Sequence, residues 1–100
     1  MVTWSLPAKD DLKRIYDFIS RDSKYYATKV TLDLVQKTEK LNDFPKIGRI
    51  VPEIDNPNVR ELFAYSYRLI YRKSENGVEI LAIIHGKQDF SSGDLDVVRQ

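Results

Sequence analysis

One histidine, His85, and an upstream arginine, Arg68, are the residues of this chain whose types suit chemistry on a phosphodiester. Self-cleavage of RNA needs a base for the 2′-hydroxyl, an acid for the leaving oxygen and a cation for the phosphate charge. An imidazole can serve as base or acid, and a guanidinium can hold the phosphate. Whether the two meet depends on the turn at Ser74-Glu75-Asn76-Gly77. Asn-Gly between two strand-like runs signals a type I′ hairpin, whose two central residues take positive φ. With Asn76 and Gly77 in those places, Glu75 faces Val78, Tyr71 faces Ala82 and Arg68 faces His85, with Cβ atoms about 5 Å apart. A four-residue loop leaves the pair diagonal on one face, and a three-residue loop sends them to opposite faces. The plainer reading has His85 ending a strand and bonding to nearby backbone, and Arg68 covering the sheet with its stem. For the histidine that reading outweighs the catalytic one; for the arginine the two balance.

The remaining cations are candidates for phosphate or target contact: Arg49, Arg60, Arg72 and Lys87, with Lys46 and Lys73 on the same basic face. A net charge of +1 gives a weak overall field, so only a local patch can attract an anion. Asp94 and Asp96 make the tail acidic. Tyr67 and Tyr71 are in phase with Leu69 and belong under a packed layer, whereas Tyr65 sits in a connection. With no cysteine, thiolate catalysis, disulfides and cysteine-type zinc sites are excluded. There is no phosphate-cradling glycine loop and no HExxH, and no metal or cofactor is implied. The longest apolar run, Ile80 to Ile84, is far too short to span a bilayer, and no export signal opens the chain. The expected compartment is the cytoplasm, with no membrane partner.

Several elements must position these residues. Val2, Trp4 and Leu6 alternate with polar residues, a short strand within residues 1–7. Pro7 suits a helix's first turn, and Leu12, Ile15, Tyr16 and Ile19 recur at helical spacing, so a helix is expected over 8–20. Asp22 or Ser23 caps a second helix, whose stripe is Ala27, Val30, Leu34, Thr38 and Leu41. Phe44-Pro45 stops it after residue 42, making a helical hairpin over 8–42. Residues 43–58 read as a loop with at most a short strand near Ile50-Val51. Residues 59–90 read as strands: 60–65, 67–73 and 78–85, the last apolar on both faces and therefore central. Residues 91–100 form a polar tail. One hundred residues hold a single core, so the chain is one α+β domain. Its expected form is an N-terminal strand and an antiparallel helical hairpin packed on an antiparallel sheet.

Several segments in this order resemble the RelE/ParE family of toxins from type II toxin–antitoxin systems. They are Trp4-Ser5-Leu6-Pro7-Ala8 with Asp11-Leu12 and Ile15-Tyr16, Pro45-x-x-Gly48-Arg49, Arg60-Glu61-Leu62, Tyr67-Arg68-Leu69-Ile70-Tyr71, and His85 at the end of the last long strand. The resemblance runs from about residue 2 to residue 90. It implies a toxin that stops bacterial growth and is neutralised by a small cognate antitoxin. The antitoxin's C-terminal segment wraps the helical hairpin and the sheet edge, giving a hetero-oligomer. The family divides by target. ParE-like members poison DNA gyrase; RelE-like members are ribosome-dependent, metal-independent mRNA endoribonucleases, or mRNA interferases. Arg68 matches the Tyr-Arg arginine of the nuclease branch, and His85 matches a histidine found in both branches. Where the family often continues His-x-x-Arg-Asp, this chain reads His85-Gly86-Lys87-Gln88-Asp89, so Gln88 removes a phosphate-binding charge. No tyrosine follows Phe90, and the near-neutral charge is unlike that of ribosome-bound nucleases. The resemblance therefore favours the gyrase poison, with the nuclease as the alternative. On the gyrase reading, Arg68→Ala and His85→Ala are expected to fold normally and stay toxic.

Overall fold

Ser5 separates the first strand from the first helix. In the computed structural model, which describes residues 1–86, β1 is Val2–Trp4 and α1 is Leu6–Ser20. The Ser5 hydroxyl accepts the Ala8 N–H at 3.2 Å, and Pro7 occupies the first turn, where no donor is needed. Leu6 therefore belongs to the helix and faces water, not to the expected alternating strand. Ser23 caps the second helix by accepting the Tyr26 N–H at 3.1 Å. This helix, α2, is Lys24–Glu39, and a 3₁₀ turn over Lys40–Asn42 extends it. The expected stripe is the buried one: Ala27, Val30, Leu34 and Thr38, continued by Leu41.

Four further strands follow: β2 (Arg49–Ile50), β3 (Val59–Ala64), β4 (Tyr67–Ser74) and β5 (Gly77–His85). The sheet order is β1-β5-β4-β3-β2, so β5 is internal, as its two-sided apolar sequence requires. The pairs β2–β3, β3–β4 and β4–β5 are antiparallel, whereas β1 lies parallel to β5, with Val2 opposite Val78 and Trp4 opposite Ile80. No turn joins β1 to β5, so none dictates the direction of β1. The domain is α+β with a mixed sheet. The helices cover one face through Leu34, Leu41, Leu69, Tyr71, Ile80 and Ile83. The other face buries Val51, Val59, Ile70, Leu81, Ala82 and Ile84, with Ile54 from the 51–58 segment packed against them.

The β4–β5 register departs from expectation. Ser74 pairs with Gly77, so Glu75 and Asn76 are the central turn residues. Of these four residues only Gly77 takes positive φ, at 132°, where the Met1 carbonyl approaches too closely for a side chain. Pairing starts as Lys73–Val78, Arg72–Glu79 and Tyr71–Ile80, then shifts between Ile70 and Tyr71. The β-bulge leaves Leu81 without a counterpart, so Leu81 and Ala82 both join the second core. The edge groups freed there bond to the start of α1. The Ser5 hydroxyl donates to the Leu81 carbonyl at 3.1 Å, and the Asp11 carboxylate accepts the Ile83 N–H at 3.0 Å. Beyond the bulge Arg68 pairs with Ile84 and Tyr67 with His85. The expected Arg68–His85 juxtaposition is thus corrected: a one-residue shift puts the two on opposite faces. Among the described residues no helix is long and apolar enough to cross a membrane. Lys87, Gln88 and the 91–100 tail lie outside the described residues.

Candidate functional site

Arg68 projects from β4 onto the sheet face away from the helices, where only 6% of its surface is exposed. A cation buried so deeply needs carboxylate partners. Glu61 on β3 supplies one, accepting Arg68 Nε–H at 2.6 Å while itself only 1% exposed. Glu53, from the segment after β2, supplies the other. Its two oxygens accept Nη1–H and Nη2–H at 2.9 and 3.0 Å, a fork-to-fork pair. The second oxygen of Glu61 accepts Arg49 Nε–H at 2.5 Å, and the Arg49 guanidinium lies over the Phe63 ring, 5.0 Å from its centre. Bonding to Arg68 holds the Glu53 carboxyl below the usual carboxylate range, and bonding to Glu53 raises Arg68 further above the range in which it loses its proton. An alanine at position 68 would leave Glu61 buried with half its compensation. The expectation that Arg68→Ala folds normally therefore gives way to a structural cost.

The other candidate cations lie apart from this network. Arg60 fastens a loop: its Nε–H donates to the Pro57 carbonyl at 2.9 Å and its Nη1–H to the Gly48 carbonyl at 3.0 Å. Arg72 pairs with Glu79 across the β4–β5 ladder at 3.1 Å. His85, at the exposed end of β5, meets the Tyr67 ring edge-on, with centroids 5.8 Å apart. The two rings share a cleft of about 330 Å³ with Asp11, Arg14, Ile15 and the end of β5. Tyr67, half-buried there, is less acidic than a free phenol because burial disfavours its anion. Tyr65 occupies the tight β3–β4 turn with φ 55° and bonds through its hydroxyl to Asp33 of α2. That bond pushes its pKa up to about 12. Among the described residues no cluster of His, Asp or Glu is arranged to hold a metal ion.

Three features were missed in the sequence. The first is the pair of carboxylates, Glu61 and Glu53, that enclose Arg68. Glu61 carries a signal, since a charged residue inside an apolar strand must find a partner, but nothing in the order of residues says which. The second is Tyr71, fully buried beneath the 45–48 loop, whose hydroxyl donates to the Pro45 carbonyl at 2.8 Å and accepts the Gly48 N–H at 3.0 Å. The third is the outcome of that anchoring. Phe44 and Ile47 are held outward on a loop whose backbone is tied inward, 62% and 56% exposed.

Comparison with known proteins supplies the context for this geometry. The family described as ParE toxin of type II toxin–antitoxin system, parDE, matches residues 2–90. Among solved structures, one titled "Chromosomal ParDE TA system from P. aeruginosa" superposes with a TM-score of 0.69 at 25% identity, covering 84% of this chain and 92% of that one. Among curated proteins none matches.

Proposed function

Since the chain belongs to the ParE toxin family of type II toxin–antitoxin systems, we propose that it stops growth by poisoning DNA gyrase and is neutralised by a cognate antitoxin in a hetero-oligomeric complex. It acts in the cytoplasm, where gyrase and the antitoxin are met. The observation that carries this reading is the state of Arg68. Its guanidinium is committed to Glu61 and Glu53 within the fold, and it lies across the sheet from His85. A cation so enclosed is poorly placed to hold a scissile phosphate, and an imidazole on the other face cannot share that phosphate. The features left at the surface suit protein contact better than chemistry.

The test is a supercoiling reaction with purified gyrase, relaxed plasmid and the toxin, with and without antitoxin. Loss of supercoiling with accumulation of linear, protein-linked DNA, reversed by antitoxin, is the expected result. Unaffected supercoiling by a protein that still arrests growth overturns it. The ribonuclease alternative then takes its place, and it has one foothold. His85 lines a polar cleft with Arg14 and Tyr67, where a base and a cation lie within one surface. Cleavage of ribosome-bound messenger that is abolished by His85→Ala would be its signature.

A further inference from the structure

The 44–49 loop stands between two clefts that share Ile47. One, about 290 Å³, is lined by Lys37, Lys40 and Arg49 above an apolar floor that includes Leu62 and Phe63. The other, about 340 Å³, is lined by Phe44 and Pro45 with Lys46 and Lys73 at its margin. Among the described residues, Glu61 is the one carboxylate lining either cleft, and it is buried and already shared by Arg49 and Arg68. The surface is therefore an apolar ridge between two hollows, with a positive rim.

Its backbone is fixed before any partner arrives. Tyr71 holds Pro45 and Gly48, and Arg60 holds Gly48 and Pro57. Large apolar side chains displayed on a pre-ordered loop lose little entropy on binding, which is the usual condition of an interface anchor. Resting on the gyrase reading above, we propose that this ridge is the target-binding surface of the toxin. Its occupant is an acidic protein segment of gyrase that places one apolar side chain in each cleft, either side of Ile47. Protein fits better than nucleic acid. The clefts between the cations are floored by Leu62, Phe63, Phe44 and Pro45, apolar area that suits protein side chains better than phosphates.

The experiment measures binding of purified gyrase to four proteins, at low and high salt, and scores growth arrest by each in parallel. The proteins are the wild type, Ile47→Asp, the double variant Lys40→Glu/Lys46→Glu, and the control Lys9→Glu/Lys13→Glu, whose charge change falls on exposed positions of α1. Thermal unfolding checks that each is folded. Ile47→Asp is expected to weaken binding about tenfold or more at either salt concentration. The Lys40/Lys46 variant should lose about tenfold at low salt and less at high salt, because rim charges are screened. The control should bind within about twofold of the wild type, since distant surface charges are near neutral. Folded Ile47→Asp that binds like the wild type overturns the proposal, as does binding that disappears when DNA is digested away. A wild type that does not bind gyrase refutes the gyrase reading instead. In that case growth arrest lost in Ile47→Asp and kept in the control supports the ridge as a target surface, and arrest kept in both overturns it.

Discussion

The two ends of Glu61's neighbourhood treat charge in opposite ways. Toward the sheet interior, Arg68 bonds through Nε, Nη1 and Nη2 to Glu61 and Glu53 inside the fold. Toward the 44–49 loop, the hydrogen bonds are spent on backbone, through Tyr71 and Arg60, while Lys40, Lys46, Phe44 and Ile47 stay outside. The first region resembles a functional cation in sequence and acts as a structural one. The second reads as an irregular connection, yet its backbone is bonded to Tyr71 and Arg60 while its apolar side chains face outward. An arginine's residue type therefore says little until its partners are known, whereas a loop's value lies in what fixes it.

The sharpest way to break this contrast is to remove Arg68. Arg68→Ala leaves Glu61 buried beside Arg49 alone, and loss of one partner from a buried ion pair costs about 3–5 kcal/mol. Urea unfolding should show that loss, whereas Phe44→Ser and Ile47→Ser should stay within about 0.5 kcal/mol of the wild type because their side chains are mainly in water. If Arg68→Ala matches the wild type in stability, Arg68 is not the structural cation described here.

Gly48 joins the two regions and tests the loop's rigidity. A Cβ built there lies 2.5 Å from the Glu61 carbonyl oxygen and 2.8 Å from the Tyr71 hydroxyl. The first of these is β3 backbone and cannot swing away. Gly48→Ala should therefore cost about 1–3 kcal/mol by overpacking, and should lower target affinity if the loop's shape matters. Tyr71→Phe is the gentler version. It keeps the packing but leaves the buried Gly48 N–H without its acceptor, at about 1–3 kcal/mol. Amide exchange should localise the effect, with Gly48 losing protection while the β4–β5 ladder keeps it.

How far this was legible in the sequence follows from which forces are local. The α2 stripe from Ala27 to Leu41 follows from helical spacing, and it is buried as that spacing requires. The central place of β5 follows from its apolar run. The register did not follow, because the bulge at Leu81 answers to long-range needs. Ser5 and Asp11, far away in sequence, take the polar groups that the bulge exposes. Arg68's role stayed open for the same reason: Glu53 and Glu61 reach it from a connection and another strand. The Asn76-Gly77 pair correctly marked a hairpin but placed its centre one residue late, since Gly77's positive φ serves the close approach of Met1.

The smallest predicted effect isolates Glu53, the solvent-facing member of the Arg68 cluster. Its carboxyl is held below its ordinary value of 4.5, chiefly by bonding to Arg68. A carboxyl with a depressed folded pKa stabilises the fold above its unfolded pKa, and the contribution is lost as pH falls through the folded value. Arg68 stays charged throughout, so the change belongs to Glu53. The Glu53 side chain is 36% exposed, so screening limits the pair to about 1 kcal/mol. Glu53→Gln should therefore unfold at lower urea than the wild type at neutral pH, and the gap should close as the pH drops below that ordinary value. A gap that persists in acid would mean that Glu53 holds the 51–58 segment by shape, through the packing of Val51 and Ile54, and that Glu61 alone neutralises Arg68.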